Sequence, residues 1–553
     1  MSKDQPQSDR RSVLIAGAAL AATAAITGKA KAQAPSPPAR PPAGLAAGGG
    51  SGKIFQVTET ATGKVQGIAN GPTWEFRGIP YGAPTGGRNR FMPPKKPAPW
   101  KGVRECFAFT SVCPQTQADI RGEYGQLIMW DRQVGGMGED CLSLNVWTPS
   151  VDRAAKKPVF VSFHGGGFTT GSGNAPGFDG KNLAYYADAV VVTVNHRLAS
   201  FGYTNLVGAG APEAFKYAGV TGVMDLIASL EWVRDNIESF GGDPGRVMIF
   251  GQSGGGAKTS TVLAMPPGKG LFHSAAIQSG SALRLVTPEA GAATAEKLVR
   301  QLGLSKSNIA DIQKLSWQQI LEAQTAVGGN FSPVIGTDAL PNHPFDPAAP
   351  AVSANVPVIV STTLEDAALG LTNFDLTEDG LKALLNQRFG GKGSELLALY
   401  RKYDPIATPF LIQAQALTDA GGRRSAYTLA ARKAAQGAAP AYMYQWNWRT
   451  PAYDGKFGAV HGIDVSATFH SYRDGFFAGS TPGKKMADRL ASAWAAFAAT
   501  GDPNNGHIPP WKPYDDKGRA VMIFDDDTRL AFDPRAEIRA WWDANPPPRG
   551  PRG

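Results

Sequence analysis

The stretch "RVMIFGQSGGGAKTS", residues 246–260, joins a short apolar run to a glycine-rich turn and a Lys-Thr pair. Glycines before Lys and Thr are typical of a loop that binds phosphate, whereas Gly-Gln-Ser-Gly-Gly is typical of a serine exposed for nucleophilic attack. The phosphate-binding pattern requires the lysine directly after the second glycine, but Ala257 separates Gly256 from Lys258. The sequence therefore favours the exposed serine over a nucleotide site.

The serine of this stretch, Ser253, has the surroundings of a nucleophile elbow. An apolar strand is predicted over residues 247–250, and a helix is predicted from residue 256 to residue 265, before two prolines. The chain reverses sharply at such a serine, so side chains at Gly251 and Gly255 would collide with the backbone. We expect the turn to expose Ser253 Oγ and to direct the positive end of the helix at the reaction centre.

A second glycine-rich turn provides candidate donors for an oxyanion. "VSFHGGGFTTGS", residues 161–172, places three successive glycines directly after an apolar run. Backbone N–H groups in such a turn face a substrate oxygen without a Cβ in the way. The predicted oxyanion donors are the N–H groups of Gly166, Gly167 and Gly254.

A serine nucleophile also needs a base, and the expected chain order is serine, acid, histidine. His461 lies in the small-residue segment "GAVHGID", where an imidazole can reach outward, and it is the predicted base. His470 is the alternative. The acid is either Glu365 or Asp366, which follow the apolar run of residues 356–360. Because alternate residues of a strand end face opposite sides, only one of the two carboxylates is expected to reach the histidine.

The apolar runs outside the motifs predict the fold class. They are continuous and rich in β-branched residues, as in strands buried on both faces, and they alternate with helical stretches. The predicted strands cover residues 158–163, 189–194, 246–250, 274–279, 356–360 and 441–448, and the clearest helices cover 224–237 and 486–500. The sequence therefore predicts one α/β domain, a mostly parallel sheet covered by helices on both faces.

Composition and charge narrow the function classes. The chain has 553 residues, of which 42% are hydrophobic and 18% charged, as in a globular protein. The net charge is +9, but six basic and two acidic residues among the first 52 account for +4 and leave +5 for the rest. No run of Lys and Arg is interleaved with aromatic residues, so no nucleic-acid partner is predicted.

The first 34 residues have the features of a twin-arginine export signal. Arg10 and Arg11 precede an apolar run over residues 13–26, and Ala32 and Ala34 are candidate cleavage positions. The run is shorter than the roughly 20 residues that span a bilayer, which disfavours the alternative of a permanent anchor. We predict an exported, periplasmic or secreted protein with a Pro/Gly-rich linker at 35–52, a catalytic domain at 53–545 and a disordered tail at 546–553.

Taken together, these motifs resemble the type B carboxylesterases, an α/β-hydrolase family that also contains the cholinesterases. The similar segments follow the family's order from about residue 54 to residue 545, and they include "FRGIPYGAP", "GEDCLSLNVWTP", "HGGGFTTGS", "VNHRLASFGY", "LFHSAAIQSGSA", "GAVHGID" and "AWAAFAATGDPN". The resemblance implies one catalytic domain, a small-molecule ester as substrate and no cofactor or metal. It also implies that Ser253 is the nucleophile and His461 the base.

The sequence departs from the family pattern at the acid and on both sides of Ser253, where Gln252 and Gly254 stand in place of the usual Glu and Ala. The family's acid, a glutamate, aligns with Asp366, which we therefore prefer to Glu365. Gln252 stands where the family commonly has a glutamate, which argues against a site adapted to cationic, choline-like esters. The resemblance also implies a disulfide between Cys113 and Cys141, a free Cys106, and a structural ion pair between Arg90 and Glu139.

The predicted function is hydrolysis of carboxylic esters through an acyl-enzyme. The alternatives are a noncatalytic binding protein of the same fold, and hydrolysis of amides, thioesters or lactones by the same residues.

Overall fold

The described part of the chain folds around one mixed β-sheet. The computed structural model of the chain describes residues 53–116, 124, 127–130, 134–473 and 475–546. All of them belong to one compact unit. The predicted export signal and linker lie outside the described residues, and so does the predicted tail from residue 547 onward.

All thirteen described strands are hydrogen-bonded into this sheet. They are β1 (Phe55–Thr60), β2 (Gly63–Asn70), β3 (Thr73–Pro80), β4 (Val103–Glu105), β5 (Ser143–Thr148), β6 (Lys157–Phe163), β7 (Val190–Val194), β8 (Gly242–Gln252), β9 (Ser274–Gln278), β10 (Val358–Thr363), β11 (Ala441–Trp446), β12 (Ala520–Phe524) and β13 (Arg529–Phe532). Their order is β1-β2-β3-β5-β7-β6-β8-β9-β10-β11-β12-β13, with β4 beside β2.

The centre of the sheet is parallel and its two ends are antiparallel. The seven strands from β7 to β12 in this order pair in parallel, and β8 lies between β6 and β9. The path from β1 to β7 and the last pair, β12 with β13, are antiparallel. Loops that follow neighbouring parallel strands meet at one edge of a sheet, so the segments after β6, β8, β10 and β11 are brought together there.

Helices connect the strands. The described α-helices are α1 (Lys181–Tyr186), α2 (Ala199–Tyr203), α3 (Thr221–Asn236), α4 (Gly254–Leu263), α5 (Pro288–Gln301), α6 (Trp317–Val327), α7 (Glu378–Arg388), α8 (Gly393–Tyr403), α9 (Pro409–Ala420), α10 (Gly422–Gln436), α11 (Ile463–Thr468), α12 (Thr481–Thr500) and α13 (Ala536–Ala544). No helix among the described residues is long and apolar enough to cross a membrane.

The sheet is buried on both faces because its central strands contain continuous apolar runs, which place apolar side chains on both faces. In β6, Val159 and Val161 belong to one hydrophobic core and Phe160 to the other. Leu226 of α3 packs into the first core, and Trp494 of α12 packs into the second. The predicted fold class is therefore confirmed, and each predicted strand corresponds to a strand of the sheet.

The predicted disulfide is wrong in this structure. Cys106, Cys113 and Cys141 are all buried free thiols. The Cys113 sulfur accepts a hydrogen bond from Leu198 N at 3.2 Å. The hydrogen bond from Cys113 and burial hold the pKa of the Cys141 thiol well above its usual range. Because a thiolate is the attacking group in disulfide formation, the raised pKa slows formation of a bond between the two sulfurs.

The predicted structural ion pair is present. Arg90 donates to both carboxylate oxygens of Glu139, at 2.6 and 2.7 Å. The same guanidinium also donates to the carbonyl oxygens of Ile312 and Leu315. Its contacts are therefore structural, as the resemblance implied.

Candidate active site

Ser253 occupies a strained turn between β8 and α4. Its backbone has φ 60° and ψ −124°, a region that non-glycine residues rarely adopt, and α4 begins at the next residue. The turn leaves no space for side chains on either side of the serine. A Cβ at Gly255 would lie 2.0 Å from Phe163 O, and one at Gly251 would lie 2.5 Å from the Gly255 carbonyl carbon. The spacing of glycines that predicted the elbow is thus required by backbone contacts.

The oxyanion loop, residues 164–170, follows β6 and lies against the start of α4. Gly166 and Gly167 have φ angles of 91° and 63°, which favour glycine. A Cβ at Gly254 would lie 2.2 Å from Gly167 N, so the two backbones are in direct contact. No described residue accepts a hydrogen bond from the N–H groups of Gly166, Gly167 or Gly254. The three predicted donors therefore lie within one small region beside the serine.

Asp366 and His461 form the second part of the site. His461 Nδ1 and Asp366 Oδ1 are 2.7 Å apart, and both side chains are about nine-tenths buried. Thr363 Oγ1 donates to the same carboxylate oxygen at 3.0 Å. This second contact fixes the carboxylate at the end of β10, where it faces the imidazole.

The electrostatic surroundings of His461 favour its protonated form. Burial lowers the pKa of the imidazole, but the charge and the hydrogen bond of Asp366 outweigh burial, and the pKa lies above its usual value of 6.5. Asp464, which is also buried, adds to the rise. An imidazolium formed during a reaction would be stabilised by these contacts.

Glu365, the alternative acid, faces away from the imidazole. Its Oε2 accepts from Ala459 N at 2.8 Å, and its Oε1 accepts from Gln415 at 2.9 Å and from Arg449 at 2.6 Å. Its own N–H donates to Ala459 O at 3.1 Å. Glu365 therefore ties the end of β10 to the segment that carries His461, and it supports the histidine without contacting it.

The segment that carries His461 lies beside the elbow. A Cβ at Gly462 would lie 3.7 Å from Gln252 Oε1, and Gln252 is the residue directly before Ser253. A Cβ at Gly165 would lie at the same distance from that oxygen, so the oxyanion loop also borders Gln252. The hydroxyl of Tyr124 donates to the carbonyl oxygen of His461. These contacts bring the three predicted parts of the site to one place.

His470, the alternative base, belongs to a different cluster. Its Nε2 is 2.8 Å from Asp488 Oδ1, and its ring stacks on Tyr186 with 3.9 Å between the ring centroids. It therefore has a structural partner on each side. The contacts of His461 and Asp366 support the preferred pair, and the catalytic roles of Ser253, His461, Asp366 and the three glycines stay predictions.

Two residues that border the site have no signal in the sequence. Tyr124 lies 337 positions before His461 in the chain, and nothing local marks it as a partner. Lys258 was visible only as a lysine out of register with a phosphate-binding loop. Its side chain is buried and contacts His164, at the start of the oxyanion loop.

The arrangement supports one kind of chemistry. A serine at a strained turn, a buried imidazole paired with a carboxylate and a set of backbone N–H donors are the parts needed for acyl transfer. In that chemistry a histidine accepts the serine proton as the hydroxyl attacks a carbonyl carbon, and N–H donors bind the oxygen that becomes negative.

Comparison with known proteins points to the same chemistry. The sequence profile of the family described as "Carboxylesterase family" matches residues 55–404 and 413–542. Para-nitrobenzyl esterase of Bacillus subtilis is 32% identical over 499 residues, which cover 88% of this chain and 98% of that protein.

Solved structures of esterases have the same fold as this chain. An esterase of Clostridium hathewayi, described as able to hydrolyse aliphatic aromatic polyesters, superposes with a TM-score of 0.77 at 31% identity, covering 89% of this chain and 98% of its own. A carboxylesterase of Geobacillus stearothermophilus superposes with a TM-score of 0.75 at 31% identity, covering 88% and 99%.

Proposed function

The chain belongs to the carboxylesterase family and hydrolyses carboxylic esters, and we propose that it does so through an acyl-enzyme formed on Ser253. The observation that carries this proposal is the 2.7 Å contact between His461 Nδ1 and Asp366 Oδ1, beside an elbow that holds the serine. Because Nδ1 is directed at the carboxylate, the other ring nitrogen is left to act as the base.

In the acylation step, His461 Nε2 accepts the proton of Ser253 as Oγ attacks the ester carbonyl carbon. The carbonyl oxygen becomes an oxyanion that accepts hydrogen bonds from the N–H groups of Gly166, Gly167 and Gly254. Asp366 stabilises the imidazolium and does not itself take the proton. The bond to the alcohol oxygen then breaks, and His461 protonates the leaving alcohol.

In the deacylation step, water replaces the alcohol. His461 accepts one proton from water as its oxygen attacks the acyl carbon, and the same three N–H groups bind the second oxyanion. The bond to Ser253 Oγ breaks, His461 returns the proton to the serine, and the carboxylic acid leaves.

The proposal is tested by rapid mixing with a p-nitrophenyl ester. We expect a burst of nitrophenol equal to about one per enzyme molecule when deacylation limits turnover, because the acyl-enzyme accumulates. A p-nitrophenyl phosphonate is expected to inactivate the enzyme and to leave a covalent adduct that mass spectrometry locates on Ser253. Turnover that survives complete phosphonate labelling, or an adduct on another residue, would show that Ser253 is not the nucleophile.

We also propose that the chain is exported through the twin-arginine route. Arg10 and Arg11, the apolar run at residues 13–26 and the small residues Ala32 and Ala34 support this location. In a bacterial host, replacing both arginines with lysine is expected to leave the esterase activity in the cytoplasmic fraction. The exported wild-type protein is expected to begin just after Ala32 or Ala34 by N-terminal sequencing. An unchanged periplasmic yield for the double variant would contradict the route.

A further inference from the structure

Lys258 is a fully buried lysine on the nucleophile helix. It lies five positions after Ser253 on α4, and its side chain is 0% exposed. Among the described residues, its hydrogen bonds go only to His164, and no carboxylate forms an ion pair with it. Burial holds the pKa of the amine well below its usual range. An apolar side chain of equal length would fill the same space without desolvating an amine, so the specific contribution of Lys258 is its hydrogen bonding.

The acceptor of this hydrogen bond is a backbone carbonyl at a sensitive position. Lys258 Nζ donates to His164 O at 2.8 Å. The ladder of β6 with β7 and β8 ends at Phe163, so the carbonyl of His164 lies just beyond the last paired residue of the strand. A buried carbonyl requires a donor, and the lysine provides one.

The orientation of that carbonyl is linked to the oxyanion donors. His164 begins the oxyanion loop, and Gly166 and Gly167 follow two and three positions later. A peptide plane is rigid, so rotation of the His164 carbonyl would rotate the next N–H and shift the glycines. Gly165, Gly166 and Gly167 have no side chains to restrict them, so the loop depends on hydrogen bonds such as that from Thr170 N to Gly166 O and that from Lys258 to His164 O.

The same helix carries both the nucleophile and the lysine. A Cβ at Gly255 would lie 2.0 Å from Phe163 O and 3.2 Å from His164 O, so the first turn of α4 packs directly on the end of β6. Lys258 adds a hydrogen bond one turn later, from α4 to the same segment. We propose that Lys258 is a positioning residue, which holds the oxyanion loop in place relative to Ser253 so that its N–H groups meet the developing oxyanion.

This inference rests on the proposed acyl-enzyme function, and its test distinguishes a failure of the inference from a failure of that function. Lys258→Met keeps the length of the side chain and removes its donors. Lys433→Met is the matched control, because Lys433 is also buried and donates to backbone carbonyls, those of Ser353 and Ala354, at 3.1 and 2.7 Å. Rates are expressed per active site, counted with the p-nitrophenyl phosphonate.

For Lys258→Met we expect kcat to fall about 10–100-fold, with KM within about threefold of wild type. Loss of one oxyanion donor typically lowers the rate about 10²–10³-fold, and a smaller loss is expected here because the donors are shifted and remain present. Affinity for a trifluoromethyl ketone, which forms a tetrahedral adduct with the serine, is expected to fall by a similar factor. Lys433→Met is expected to unfold at a lower temperature and to keep its kcat.

Three results would overturn the inference: an unchanged kcat per site in Lys258→Met, an equal loss in Lys433→Met, or an unchanged affinity for the ketone. If Lys258→Met does not fold, Lys258→Gln is measured instead. Because its amide side chain is shorter than lysine, kcat is expected to fall at least about threefold. A wild-type kcat in Lys258→Gln would contradict the inference. Absence of an acyl burst in the wild-type protein would end the proposed function itself, whatever the lysine does.

Discussion

Replacing Ser253 with alanine is expected to lower the kcat for ester hydrolysis by at least about 10⁴-fold, because no other group supplies the nucleophile. The variant is also expected to lose the nitrophenol burst and the phosphonate adduct. Alanine keeps the Cβ that already tolerates φ 60° at this turn, so the elbow is expected to stay intact. The comparison is made by steady-state and pre-steady-state assays with the same p-nitrophenyl ester.

A matched control separates the loss of a nucleophile from the loss of a buried hydroxyl. The hydroxyl of Ser229 donates to Leu226 O within α3 at 2.7 Å, and the side chain is 0% exposed. Ser229→Ala is expected to lower the melting temperature slightly, since one neutral hydrogen bond contributes about 1 kcal/mol to the free energy of unfolding. Its kcat is expected to stay within about twofold of wild type. Turnover above a few per cent of wild type in Ser253→Ala would contradict the assigned role.

Six of the seven parallel strands, all except β12, were predicted from the sequence because each contains a continuous apolar run. Burial on both faces requires this pattern, and "VVVTV" of β7 shows it: Val190, Val192 and Val194 enter one core and Val191 the other. The antiparallel strands near the N-terminus were not predicted. In β1 the burial alternates between exposed and half-buried, and its apolar residues Phe55 and Val57 face solvent, so hydrophobicity carries no clear period there.

The elbow was predictable because its requirements are local. Gly251, Ser253 and Gly255 are close in the chain, and backbone collisions alone exclude larger residues there. The partners of the serine are not local. Asp366 and His461 are 95 positions apart, and two adjacent carboxylates compete at the end of β10. Which of them faces the imidazole is decided by the register of β10 and by the contact between Glu365 and Ala459, which a single sequence does not contain.

The cysteines and Lys258 illustrate a further limit. The family resemblance implied a bond between Cys113 and Cys141. Whether two sulfurs bond depends on their atomic positions and on the pKa of the thiols, which the sequence does not contain. The other residues of α4 are Gly, Ala, Ser, Thr, Val and Leu, so no charged partner for Lys258 is visible in the helix itself. The acceptor of its hydrogen bond is a backbone carbonyl. Every residue has a backbone carbonyl, so the sequence does not indicate which one the lysine contacts.

Replacing Asp366 with asparagine is expected to lower kcat by about 10³–10⁴-fold, since an amide neither stabilises the imidazolium nor fixes the required tautomer. The amide nitrogen of asparagine would donate to Nδ1 and place the proton on Nε2, the atom that must accept from Ser253. The change removes a charge and keeps the shape of the side chain. Steady-state kcat and the burst rate constant measure the loss.

Glu365→Gln is the control for this substitution, because it makes the same chemical change at the adjacent residue. The amide oxygen is able to accept from Ala459 N, but the charged contact with Arg449 is lost. We expect kcat to stay within about tenfold of wild type and the free energy of unfolding to fall by about 1–3 kcal/mol, as for hydrogen bonds to charged groups. A larger loss of kcat in Glu365→Gln than in Asp366→Asn would transfer the role of acid to Glu365.

The dependence of activity on pH provides an independent measure of the same pair. The imidazole must be neutral to accept the serine proton, so kcat/KM falls as the pH decreases through the pKa of His461. Asp366 raises that pKa, and the midpoint of the acid limb is therefore expected above pH 6.5 in the wild-type enzyme. In Asp366→Asn that charge is absent, whereas burial, which lowers the pKa, and Asp464, which raises it, both remain, so the midpoint is expected to move to lower pH than in the wild-type enzyme. A midpoint that stays in place would mean that His461 and Asp366 do not titrate as a coupled pair. Glu365→Gln is expected to leave the midpoint near its wild-type position, because Glu365 contacts Ala459 and Arg449 and makes no hydrogen bond to the imidazole among the described residues.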